Sequence, residues 1–216
     1  MNRHTTLYLD GLERSGNVYL SSAIEKTMNV NIISVRTHDI NTLKNYERIN
    51  PFIVPVRDAF PSILSSKLYR DYVFNNNLYG DTDPDNVKLD TIVSRYKEYI
   101  DFLLISPKFF IAPFHCFTED HNETCEKIVK FHEKNSKLTI KARLTKEEMF
   151  AEINSDHKKL SNSDVWFHNE LGNFPRNESE DKERVKQILV DKYSEDIKDI
   201  QDGINILYQR YYDIKI

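Results

Sequence analysis

Four short apolar runs, interspersed with stretches of helical spacing, constrain this chain more than any other feature of its sequence. Thr5 to Asp10, Val30 to Val35, Pro51 to Val56 and Lys108 to Pro113 are strand-length and rich in β-branched or aromatic residues. Between and after them, Asn17 to Met28, Asp58 to about Tyr72, Leu89 to Leu104 and His121 to Glu133 repeat their apolar positions at three- and four-residue intervals. Strand–helix alternation of this kind predicts an α/β fold, with a mostly parallel central sheet and helices on both faces. A further helix is expected from Thr145 to Ile153, opened by a capping box of Thr145 and Glu148. The rest reads as a long surface loop (Asn75 to Asn86), an irregular stretch (Ser155 to Asn177) and two charged amphipathic segments, Asp181 to Lys192 and Ser194 to Tyr212. Those last two are expected to present a solvated face laced with i,i+4 pairs. With 216 residues and no linker or repeat, a single domain spanning 1–216 is expected.

Charge narrows the partners. The net charge is −4, so no global positive field recruits nucleic acid or an anionic membrane, and an anion site has to be built locally. The first residues lack the apolar run of a signal peptide, and nothing approaches the roughly 20 apolar residues of a membrane span. Two cysteines, Cys116 and Cys125, do not make a secreted disulfide framework. A cytoplasmic protein with reduced thiols is the resulting expectation.

In open parallel sheets, ligands bind beyond the carboxyl ends of the strands. Three polar segments fall there: Gly11 to Gly16, Arg36 to His38, and Arg57-Asp58. Gly11-Leu-Glu-Arg-Ser-Gly16 sets two glycines five positions apart between a strand and a helix, the spacing of a P-loop. Such a loop aims backbone N–H groups and a helix N-terminus at a phosphate. The Lys and Ser/Thr that would follow for Mg²⁺ and the β/γ-phosphates are replaced by Asn17 and Val18, which disfavours ordinary ATP hydrolysis. Asn17 keeps a side-chain donor suited to a phosphate oxygen, whereas Val18 leaves only its backbone.

The Arg14-Ser15-Gly16 triplet resembles the 5′-phosphosulfate loop of sulfotransferases, which use 3′-phosphoadenosine 5′-phosphosulfate (PAPS). Three further segments match that family in order. Val35-Arg36-Thr37-His38 is similar to its Lys-Thr-His, where the histidine is the catalytic base. Arg57 with Ser65, eight residues on, is similar to the Arg and Ser that hold the 3′-phosphate. Phe109 to Phe131 resembles its strand, acidic turn and helix, with the turn altered to His115-Cys116-Phe117. The matches span Leu7 to Phe131; the family's late Arg-Lys-Gly triplet is missing.

This resemblance implies a three-layer P-loop-type fold and transfer of the sulfuryl group from PAPS to a hydroxyl or amine of a small-molecule or carbohydrate acceptor. His38 would take the acceptor proton. Arg14, with Arg36 assisting, would stabilise charge on the bridging oxygen and the transferred group. Gly11, Arg14, Ser15, Gly16, Asn17, Val18, Arg57 and Ser65 would hold the cofactor. No metal is needed for this chemistry. Two other readings stand beside it: a P-loop kinase-like phosphotransferase, and a non-catalytic nucleotide-binding module on the same fold. A separate constellation, His115, Cys116, Glu119, Asp120, His121 and Cys125 within eleven residues, offers zinc-type donors but no CxxC or HExxH spacing.

Overall fold

The computed structural model describes residues 5–12, 16–34, 40–46, 52–75, 83–134, 137–160 and 179–216, excluding the side chains of Thr5, Val18, Ser34, Thr42, Tyr46, 154–160 and 179–180. Four strands form one parallel sheet: β1 (Thr5–Leu9), β2 (Val30–Ser34), β3 (Phe52–Val56) and β4 (Phe110–Pro113), in the order β2-β1-β3-β4. The helices are α1 (Asn17–Thr27), α2 (Ile40–Tyr46), α3 (Ala59–Asn75), α4 (Leu89–Ile105), α5 (Phe114–Glu119), α6 (His121–His132), α7 (Lys146–Leu160) and α8 (Ser179–Tyr212).

Every residue of β3 and β4 is buried, as a parallel sheet covered on both faces requires. Successive side chains divide between two apolar clusters. Phe52, Val54, Val56 and Ile111 pack with α3, α4 and α8, whereas Ile53, Phe110 and Ala112 join Leu7 and Leu9 against α1, α6 and α7. The expected α/β architecture is therefore present, with all four described strands parallel.

Pairing between β1 and β3 stops early. Tyr8 pairs with Phe52 and Leu9 with Ile53, while β3 and β4 stay in register from Ile53–Phe110 to Val56–Pro113. Pro55 therefore falls where β3 has β4 alone as a neighbour, which suits a residue that cannot donate to a ladder. The strand order also reverses at this junction, since β2 is added to one side of β1 and β3 to the other, all strands staying parallel. Splayed strand ends at such a reversal leave a crevice, the usual ligand position in open α/β sheets.

Several elements differ from the sequence reading. The two C-terminal charged segments are one 34-residue helix, about 50 Å long. It continues through Tyr193 and Ser194 because neither glycine nor proline interrupts it there and Tyr193 is buried, its hydroxyl donating to Asp90 (2.6 Å). Nor is α8 merely a solvated face: Val185, Leu189, Ile200, Ile204, Leu207 and Tyr211 are all buried against the body of the protein. Gly203 lets it approach α4, since a Cβ there would stand 2.8 Å from Ile100 Cγ2. The α7 capping box forms as expected, with Thr145 N donating to Glu148 Oε2 (2.7 Å) and Glu148 N to Thr145 Oγ1 (3.1 Å). However, α7 runs to Leu160, into the irregular stretch expected from Ser155 to Asn177, whose remainder lies outside the described residues. Helix α3 likewise runs to Asn75, with 76–82 outside the description. The helix α2 was not anticipated, and α5 replaces the expected turn at His115-Cys116-Phe117.

Candidate functional site

The carboxyl ends of β1, β3 and β4 bring together Asp10 to Leu12, Arg57-Asp58 and Phe114 to Cys116. The loop after β1 enters α1 at Gly16, whose backbone is left-handed (φ 92°), with no side-chain cap on the helix. A glycine is needed here twice over. The conformation disfavours a Cβ, and that Cβ would lie 2.7 Å from both Phe114 Cδ2 and Phe117 Cζ. Aromatic rings from α5 thus pack against the start of α1 at Gly16.

Asn17 braces the loop from within. It is buried, and its amide nitrogen donates to the carbonyls of Gly11 (3.1 Å) and Leu12 (3.2 Å). The side chain thus ties the start of α1 to the two residues that follow β1. Asp10, also buried, accepts from the Gly11 N–H (3.0 Å). That carboxylate at the foot of the loop escaped the sequence reading because nothing in its spacing set it apart from strand-end turn residues.

Arg57 is half-buried, with its guanidinium 4.7 Å from the centroid of the Phe114 ring. Burial lowers its pKa, opposed by the nearby Tyr96, Asp58 and Tyr208, and at neutral pH it stays charged. The same Phe114 ring touches the Cβ position of Gly16, so the loop and the arginine are joined through one side chain. Ser65 stands half-buried on α3, two turns along from Arg57. Beside it in sequence, Ser66 is tied to Tyr96 (2.8 Å) and Ser62 is fully buried. Leu12, Val56, Arg57, Ser62, Tyr99 and Ile204 help line a narrow crevice where β1 and β3 part.

Asp58 does not cap its own helix. Its Oδ1 accepts from Tyr208 Oη (3.1 Å) and from Gln201 Nε2 (3.3 Å), while Gln201 Oε1 accepts the Ala59 N–H at the start of α3 (2.8 Å). Next to Tyr208, His115 Nε2 lies 2.7 Å from Tyr212 Oη, and the His115 ring stands edge-on to Tyr208 at 5.0 Å. The last turns of α8 therefore form one wall of this edge. Sequence reasoning missed that wall, because buried tyrosines at helical spacing carry the same signal whether they fill a core or border a site.

The zinc-type constellation disperses. Cys116 joins His115 at Tyr212, Asp120 caps α6 through Glu123 N (2.9 Å), and Cys125 is buried against Thr27 Oγ1 (2.9 Å). Among the described residues no three His, Cys, Asp or Glu side chains are grouped as metal ligands. Arg14, Ser15, Arg36 and His38 lie outside the described residues, as does the side chain of Val18. Among the described helices none is long and apolar enough to cross a membrane. No family model, no curated protein and no solved structure matches this chain.

Proposed function

We propose that the chain is a PAPS-dependent sulfotransferase of P-loop type. The observation that carries this reading is the pairing of the uncapped α1 N-terminus, entered through Gly16, with the Arg57 guanidinium across the Phe114 ring. A helix N-terminus and a separate arginine suit a ligand with two anionic groups. In this reading the loop from Gly11 to Val18, including Arg14 and Ser15, receives the 5′-phosphosulfate. Arg57, with Ser65, receives the 3′-phosphate. His38 accepts the acceptor's proton as the sulfuryl group passes to the acceptor oxygen or nitrogen, and Arg14 and Arg36 balance charge on the departing phosphate.

A kinase-like reaction is less well supported. Asn17 occupies the position where a P-loop kinase has its lysine, and its amide is used to close the loop. A thermal-shift comparison separates the readings, because a ligand specific to the native state raises its melting temperature. Stabilisation by 3′,5′-adenosine bisphosphate, with little from 5′-AMP or Mg·ATP, is the expected result. Stabilisation by Mg·ATP alone would transfer the assignment to a phosphotransferase.

A further inference from the structure

Two serine–tyrosine pairs face each other where α3 packs beside α4, and only one of them is closed. Ser62 and Ser66 stand one turn apart on α3, and Tyr96 and Tyr99 one turn apart on α4. Ser66 Oγ and Tyr96 Oη are hydrogen-bonded at 2.8 Å. Ser62 and Tyr99 are each only 1% exposed, yet among the described residues neither Ser62 Oγ nor Tyr99 Oη has a hydrogen-bond partner. Both residues line the narrow crevice where β1 and β3 part, whose other walls are largely aliphatic, among them Leu12, Val56, Ile100 and Ile204. Leaving a buried hydroxyl unpaired is costly, and folded proteins nearly always answer such a group.

Charge decides what kind of guest suits this pair. Burial and the nearby Asp10 carboxylate push the Tyr99 hydroxyl well above its ordinary pKa, so at neutral pH it stays protonated and able to donate. An anion in the crevice would face the same carboxylate. A neutral oxygen that accepts from Tyr99 and shares a hydrogen with Ser62 satisfies both hydroxyls at once.

We propose that Ser62 and Tyr99 form a binding site for one neutral hydroxyl oxygen, bonded to Tyr99 Oη on one side of the crevice and to Ser62 Oγ on the other. That chemistry is shared by a water molecule and by the terminal hydroxyl of a small alcohol. The site needs neither the Gly16 loop nor the charge of Arg57, and it stands whether or not the chain binds a nucleotide.

Tyr99→Phe, Ser62→Ala and the double variant test it first, since each change removes a hydroxyl and keeps most of the side chain. A bridged pair predicts that each single variant melts about 2–4 °C lower, and that the double variant loses less than the sum, because the first change already breaks the bridge. An unchanged or raised melting temperature in Tyr99→Phe would overturn the proposal, since removing an unanswered hydroxyl relieves a cost. Methyl-labelled isoleucine then identifies the source through the Ile100 and Ile204 resonances, with ethanol and acetate as probes. A saturable shift with ethanol, weakened severalfold in Tyr99→Phe, assigns the site to an alcohol. No response to ethanol, with long-lived water cross-peaks to both methyls that vanish in Tyr99→Phe, assigns it to water. Preference for acetate, or neither ethanol nor long-lived water at these methyls, would reject the site.

Discussion

Gly16 and Arg57 meet at Phe114: the edge of that ring fills the place a Gly16 Cβ would take, and the Arg57 guanidinium lies 4.7 Å from the ring centroid. One aromatic side chain from the end of β4 thus spaces a helix N-terminus against a cation. Disturbing any of the three should be felt by the other two.

Gly16→Ala is expected to destabilise the protein by about 2–3 kcal/mol, combining left-handed backbone strain with overpacking against Phe114 and Phe117. Urea titration measures the loss. Adding Phe114→Leu should recover part of it, because two of the three nearest atoms belong to Phe114. Independent, additive losses would show that the ring does not press on the glycine.

The end of α8 is held by a buried cation. Lys127 donates to the carbonyls of Tyr211 (3.3 Å) and Ile214 (2.5 Å), faces the Tyr211 ring at 4.8 Å and has Glu123 at 3.6 Å. Lys127→Met retains most of the stem and leaves those carbonyls unanswered, with an expected cost of about 2–3 kcal/mol. Hydrogen exchange should quicken at residues 209–214 more than in the middle of α8. A uniform change along the helix would contradict a local anchoring role.

Acid should unfold the protein through α6. Burial holds His132 down at about 4 and also lowers His121. A base whose folded pKa is depressed contributes stability that is complete above its unfolded pKa, near 6.5, and is lost as pH falls. Most of the loss is therefore expected between pH 6.5 and 4, with His132 contributing on the order of 3 kcal/mol. Melting temperature against pH should fall through this window, and His132→Gln should flatten the curve. An unchanged slope in the variant would remove His132 from the account.

The sheet was legible because parallel strands buried on both faces stand out as continuous apolar runs, as in Phe52 to Val56. The α7 cap was legible because Thr145 and Glu148 state a local bond in their spacing. Less visible were features set by distant partners. The lack of a glycine or proline near Ser194 permits an unbroken α8, but its partner Asp90 lies far off in sequence, and nothing near Asp58 reveals that Gln201 and Tyr208 reach it. Gly16 and Arg57 were picked out from their motifs, but Phe114, the residue joining them, looked like an ordinary core aromatic. Asn17 was identified as part of the loop, but its bonds to Gly11 and Leu12 were not, since sequence distinguishes a donor from its absence but not the acceptor it finds.

The central claim is that Arg57 receives a phosphate at a distance from the Gly16 loop. Calorimetric titration of wild-type and Arg57→Ala protein with 3′,5′-adenosine bisphosphate and 5′-AMP tests it most directly. The account predicts that wild type prefers the bisphosphate and that Arg57→Ala loses this preference, dropping its affinity about ten- to hundredfold while 5′-AMP binding stays level. Equal affinity of wild type and Arg57→Ala for the bisphosphate would contradict it.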